Sequence, residues 1–163
     1  MDKLYFLSLS DIFAHFVEIR LATSGALQEL QGKSSIVVEF NAVPEQFGAY
    51  LGEKASLHHR MAPSPMRFNP AMMKNSRETF KRLRDRTLAL TGQVKLVIVP
   101  PSLVDLHSIF LKVIELQMEG YNIVLQILES GDASQLYRAV NVFEESYKNL
   151  LVFEAMQRAA GGQ

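Results

Sequence analysis

Ten lysines and arginines lie between Lys54 and Lys95, against two acids, Glu78 and Asp85, so this stretch carries a net charge of +8. The flanks compensate. Residues 1–53 hold three basic residues and seven acids, and residues 96–163 hold four and eight, which brings the formal net charge to zero. Clustered Lys and Arg beside an aromatic ring are the footprint of phosphate-backbone binding, because the cations release counterions and the ring stacks on a base. Arg60, Arg67 and Lys74 supply such charge, with Phe68 as the ring. A helix starting near Ser76 places Arg77, Lys81 and Arg84 on one face, at about 100° per residue. Arg82 and Arg86 flank that face. The same charge also suits an acidic protein partner, or the acidic flanks of the chain itself.

The other candidate sites are smaller. ESGDAS (129–134) reads as a turn entering a helix. Gly131 accommodates a positive φ there, and Ser130, Ser134 and the free amides of the helix start offer donors to an anion. It lacks the glycine spacing of dinucleotide or P-loop sites, and Glu129 and Asp132 oppose a phosphate. Asp105 and His107 are two residues apart, so on a helix they diverge by about 200° and form no dyad. Asp105 suits the first turn of a helix, and His107 reads as a surface residue. His58 and His59 are adjacent but lack a third ligand at metal spacing. No metal site and no cofactor is expected. The chain has no cysteine, which excludes thiolate catalysis, disulfides and Cys-ligated metals. RMAPSP (60–65) resembles the R-x-A-P-S-P stretch of glutamyl-type aminoacyl-tRNA synthetases. The H-I-G-H motif that follows in that family does not occur here, so no residue role is taken from it.

The elements that would position these residues read as an α/β domain. Five apolar runs look like strands: LYFLSL (4–9), SIVVEF (35–40), VKLVIV (94–99), NIVLQIL (122–128) and LLVF (150–153). Helices fill the intervals. Ser10 and Asp11 offer a cap for the first, which Ser24-Gly25 interrupts and Gly32 ends. Pro44 opens a second. A proline-broken loop covers 58–75. Asn75 with Glu78 starts the next helix and Gly92 closes it. Ser102 with Asp105 starts a long helix ending at Gly120, and Asp132 with Gln135 starts the last. Strands alternating with helices predict a mostly parallel sheet of about five strands, with a C-terminal β-α-β-α-β unit. The whole of 1–163 forms one domain, with 54–93 a basic loop plus helix inside it and 156–163 a fraying tail.

Composition fits a globular chain: 48% of residues are hydrophobic and 21% charged. The opening MDKLYFLSLSD lacks a basic, apolar leader pattern, and no apolar run is long enough for a membrane span. The expected setting is cytoplasmic, without membrane association. No nucleophile and base converge on the predicted sheet edge, where only Ser102, Glu129, Ser130 and Asp132 could serve an enzyme. The expected function is therefore a non-enzymatic accessory or interaction module. It would act through protein–protein contacts or self-association within a larger complex. Nucleic-acid or nucleotide-phosphate binding through 54–95 is the alternative.

Overall fold

A computed structural model describes residues 2–42 and 73–161, with side chains described for 2–32 and 73–161. Four α-helices account for nearly all of these residues: α1 (Asp2–Ala42), α2 (Lys74–Lys95), α3 (Val104–Ser130) and α4 (Leu136–Ala159). A 3-10 turn, Pro101–Leu103, leads into α3, and another, Ala133–Gln135, leads into α4. Among the described residues there is no strand, so the expected α/β sheet is overturned. LYFLSL and SIVVEF belong to α1. VKLVIV ends α2 and continues into the α2–α3 connection. NIVLQIL is the second half of α3, and LLVF lies in α4.

A single spacing rule explains all four helices. In α1 the buried residues Tyr5, Leu9, Ile12, Phe16, Ile19 and Thr23 are separated by four and three residues in turn. Phe80, Leu83, Thr87, Leu90 and Val94 do the same in α2. So do Leu136, Ala139, Phe143, Ser146, Leu150 and Phe153 in α4. This is the seam of helices packed knobs-into-holes at a shallow angle. The seam of α3 runs Leu106, Phe110, Val113, Gln117, Gly120, Val124 and Ile127, and beside it His107, Ile114, Tyr121 and Leu128 form a second buried column, one residue in seven. α3 therefore packs on both α2 and α4. Because it buries two adjoining columns, its sequence is nearly continuously apolar in places. That is why NIVLQIL resembles a doubly covered strand.

The helices run up, down, up, down. Tyr5 of α1 meets His107 near the start of α3, and Thr23, further along α1, meets Tyr121, further along α3, so these two are parallel. Thr87 approaches Tyr121 while Val94 lies by His107, so α2 is antiparallel to α3. Ser146 of α4 donates to the Val113 carbonyl of α3 at 2.8 Å, and Phe153 packs on Phe110 with ring centroids 4.9 Å apart, so α4 is antiparallel to α3 too. This is the up-and-down arrangement of a four-helix bundle. Aromatic rings fill its middle: Phe13 stacks on Phe153 at 5.7 Å, and Phe16 meets Phe110 edge-on at 5.8 Å.

α1 continues through Ser24, Gly25 and Gly32, where an interruption and an end were expected. Gly costs a helix about 1 kcal/mol relative to Ala, and burial of the seam on both sides of Gly25 outweighs that. α3 likewise continues through Gly120, and here the glycine has a packing role. A Cβ at this position would lie 2.5 Å from Cζ of Phe143, whose ring rests on the bare backbone. α3 ends instead at Gly131, in the left-handed conformation with φ 80°, its N–H donating to Ile127 at 2.8 Å.

Gly120→Ala is expected to destabilise the fold by about 1–3 kcal/mol through overpacking, despite alanine's better helix propensity. Urea denaturation would show a lower midpoint, and adding Phe143→Leu should recover part of the loss by freeing the space.

Candidate functional site

The cationic helix exists. Phe80, Leu83, Thr87, Leu90 and Val94 pin one side of α2 to the bundle and turn its charges outward. Lys74, Arg77, Lys81 and Arg84 fall within an arc of about 80° at helical spacing. Lys74 and Lys81 are exposed, and Arg77 and Arg84 are half-buried. The Arg84 guanidinium lies 3.4 Å from the Asp85 carboxylate beside it. Arg82 and Arg86 are exposed on the opposite flank, and Glu78 and Asp85 fall between the two basic groups. The acids thus divide the cations into two narrow strips. Arg60, Arg67, Phe68, His58 and His59 lie outside the described residues.

The 129–134 segment is a helix–helix turn. Asp132 Oδ1 accepts from the Ser134 N–H at 3.0 Å, so a side chain of the turn itself occupies one amide that an anion would need. Ser130 Oγ accepts from the Asp132 N–H at 3.1 Å and approaches the Ile127 carbonyl at 3.4 Å. Ser102 stands before the first turn of α3, whereas Glu129, Ser130 and Asp132 sit at its far end. A helix of 27 residues separates them by about 40 Å at 1.5 Å per residue. No shared crevice gathers them.

His107 is buried, which corrects its reading as a surface residue. Its Nδ1 lies 3.0 Å from the Tyr5 hydroxyl, and the ring also bonds the Val94 backbone carbonyl at the C-terminal end of α2. Since a carbonyl only accepts, the imidazole donates there, and Nδ1 accepts from the tyrosine O–H. Burial lowers the His107 pKa, and the Val94 carbonyl opposes this in part. Burial pushes the Tyr5 phenol up to about 12. Both groups are thus held neutral. The pair joins three helices at one end of the bundle and presents no free proton-transfer group.

Beside that pair is a surface that sequence reading missed. The α2–α3 connection begins in a turn, the Leu96 and Val97 N–H groups donating to the Gln93 and Val94 carbonyls, with Val97 and Val99 turned toward the core and Leu96 and Ile98 toward solvent, each 83% exposed. Leu4 and Leu7, each 65% exposed, stand on the outer side of α1. Between them is a hollow of about 520 Å³, lined by Leu4, Tyr5, Ile12, Leu96, Val97 and Ile98 together with Ser8 and Gln93. Reading 94–99 as a buried strand conceals this patch, because it assigns Leu96 and Ile98 to the core. The alternation within LVIV is the signal that one side of the segment is open.

Among the described residues no cluster of His, Asp and Glu could hold a metal ion, and no helix is long and apolar enough to cross a membrane. Comparison with known proteins finds no matching family model, curated protein or solved structure.

The buried imidazole makes stability depend on pH. Its folded pKa lies below the unfolded value near 6.5. The unfolded chain therefore takes up a proton first, and stability present above pH 6.5 declines as pH falls through the folded pKa. Thermal melts between about pH 7 and 5 should show this decline, and His107→Asn should flatten it.

Proposed function

We propose that the bundle is a protein-interaction module whose docking surface is the apolar hollow bounded by Leu4, Leu96 and Ile98. The observation that carries this reading is the collection of three large aliphatic side chains, Leu4, Leu96 and Ile98, 65–83% exposed, around one hollow. Exposed apolar residues are ordinary when scattered, whereas a contiguous group marks a contact site. Covering each side chain fully contributes about 1.5–3 kcal/mol, enough together to offset much of the cost of association. The partner is an apolar segment of another protein, and the apolar stripe of a helix suits a hollow set between α1 and the α2–α3 connection. The module has no catalytic role and works within a larger assembly in the cytoplasm.

Leu4→Asp combined with Ile98→Asp should leave the melting temperature nearly unchanged, because both side chains face solvent. A partner retained by the wild-type protein in a pull-down should be lost by this variant and kept by Lys74→Glu/Lys81→Glu. Equal retention by wild type and the aspartate variant would remove the reading.

The exposed strips of α2 favour a second reading, binding of a nucleic-acid backbone. In that case binding to a single- or double-stranded oligonucleotide should weaken with added salt, and Lys74→Glu/Lys81→Glu should lower its salt dependence by about two charges' worth. Absence of binding at low salt would exclude it.

A further inference from the structure

α1 and α4 are neighbours around the bundle, yet their backbones pack less closely than those of the other adjacent pairs. Phe13 and Phe153 close the gap at one level, and Arg20, with its guanidinium carbon 3.9 Å from the Tyr147 ring centroid, closes it at the next. Beyond Arg20 the gap opens as a cleft of about 190 Å³. Leu27, Val140 and Phe143 form its apolar walls, Arg20 and Glu144 stand at its mouth, and the Gln117 amide of α3 is at its floor.

Gln117 is 1% exposed. One of its N–H groups donates to the Tyr121 hydroxyl at 3.0 Å. Its other N–H and its carbonyl oxygen have no hydrogen-bond partner among the described residues. Buried polar groups are ordinarily paired, and one left open into a cavity calls for a partner within it. The amide thus keeps one donor and one acceptor unpaired. A cavity near 150 Å³ holds a benzene ring, so this cleft has room for one ring and a small substituent. Arg20 and Glu144 balance each other at the mouth, which disfavours a charged occupant.

We propose that the cleft between α1 and α4 binds a small, uncharged, flat molecule that pairs a carboxamide or lactam edge with the Gln117 amide and lays its ring among Leu27, Val140 and Phe143. The site is separate from the apolar hollow, which lies at the opposite end of the bundle, beside Tyr5. It does not depend on the interaction reading.

Benzamide is a suitable probe, with toluene and benzoate as controls. Benzamide should shift the Gln117 side-chain amide resonances saturably, with a Kd of about 1 mM or tighter, and toluene and benzoate should bind at least tenfold more weakly. Gln117→Met should reduce benzamide binding to the level of toluene. Val140→Phe, which narrows the cleft from a half-buried position and spares the amide, should abolish the shift even if Gln117→Met folds poorly. No saturable shift, equal affinity for toluene, or full binding by Val140→Phe would overturn the proposal and leave the amide to bound water.

Discussion

The Tyr121 hydroxyl ties three helices at one point, and the register of the bundle depends on it. It donates to Thr23 Oγ1 of α1 at 2.7 Å, because the threonine proton is already committed to the Ile19 carbonyl at 2.8 Å. It accepts from Gln117 of α3, and Thr87 of α2 stands 3.4 Å away. Apolar seams alone permit helices to slide by a heptad with little change in burial. A buried hydroxyl that finds its partners at only one offset removes that freedom, as single polar residues do in coiled coils. Each of the four seams contains such a residue: Thr23, Thr87, Gln117 and Ser146. Ser146 sets α4 against α3 through the Val113 carbonyl.

A second polar contact, Tyr5 with His107 and Val94, fixes the end of the bundle where α1 begins. The hollow beside it and the cleft between α1 and α4 are both consequences of how the helices are joined. The α2–α3 connection is short and leaves the bundle between two helices, so half of its apolar side chains find no core to enter. α4 reaches α1 through rings and a guanidinium, which hold the two helices apart and leave space where the large side chains stop.

Several features were legible in the residues. The Asp132 side-chain cap, the left-handed Gly131 and the basic side of α2 all have local causes, in side-chain reach, dihedral preference and helical spacing, although α2 starts at Lys74 without the expected Asn75 cap. The long helix expected from Ser102 to Gly120 was legible only in part, since it starts at Val104 without a side-chain cap and runs on to Ser130. The class of the fold was not. Short apolar runs such as NIVLQIL and LLVF satisfy both a buried strand and a buried helical segment. The discriminating signal was the unbroken alternation of four and three from Tyr5 to Thr23 and from Phe80 to Val94, which crosses the boundaries set between strand and helix. The Gln117 cleft had no such signal, because a glutamine in an amphipathic stripe looks like any other polar residue on a helix.

The sequence by itself determined the seams, the turn at Gly131 and the concentration of positive charge, because each depends on residues within a few positions of one another. Only the tertiary structure decided which apolar residues remain exposed and which polar atoms remain unpaired. Leu96 faces solvent while Val97 turns toward the core, and Gln117 keeps half its amide open. These outcomes follow from what the other three helices bring to the same place, and that depends on residues as much as a hundred positions away, as Tyr5 and His107 show.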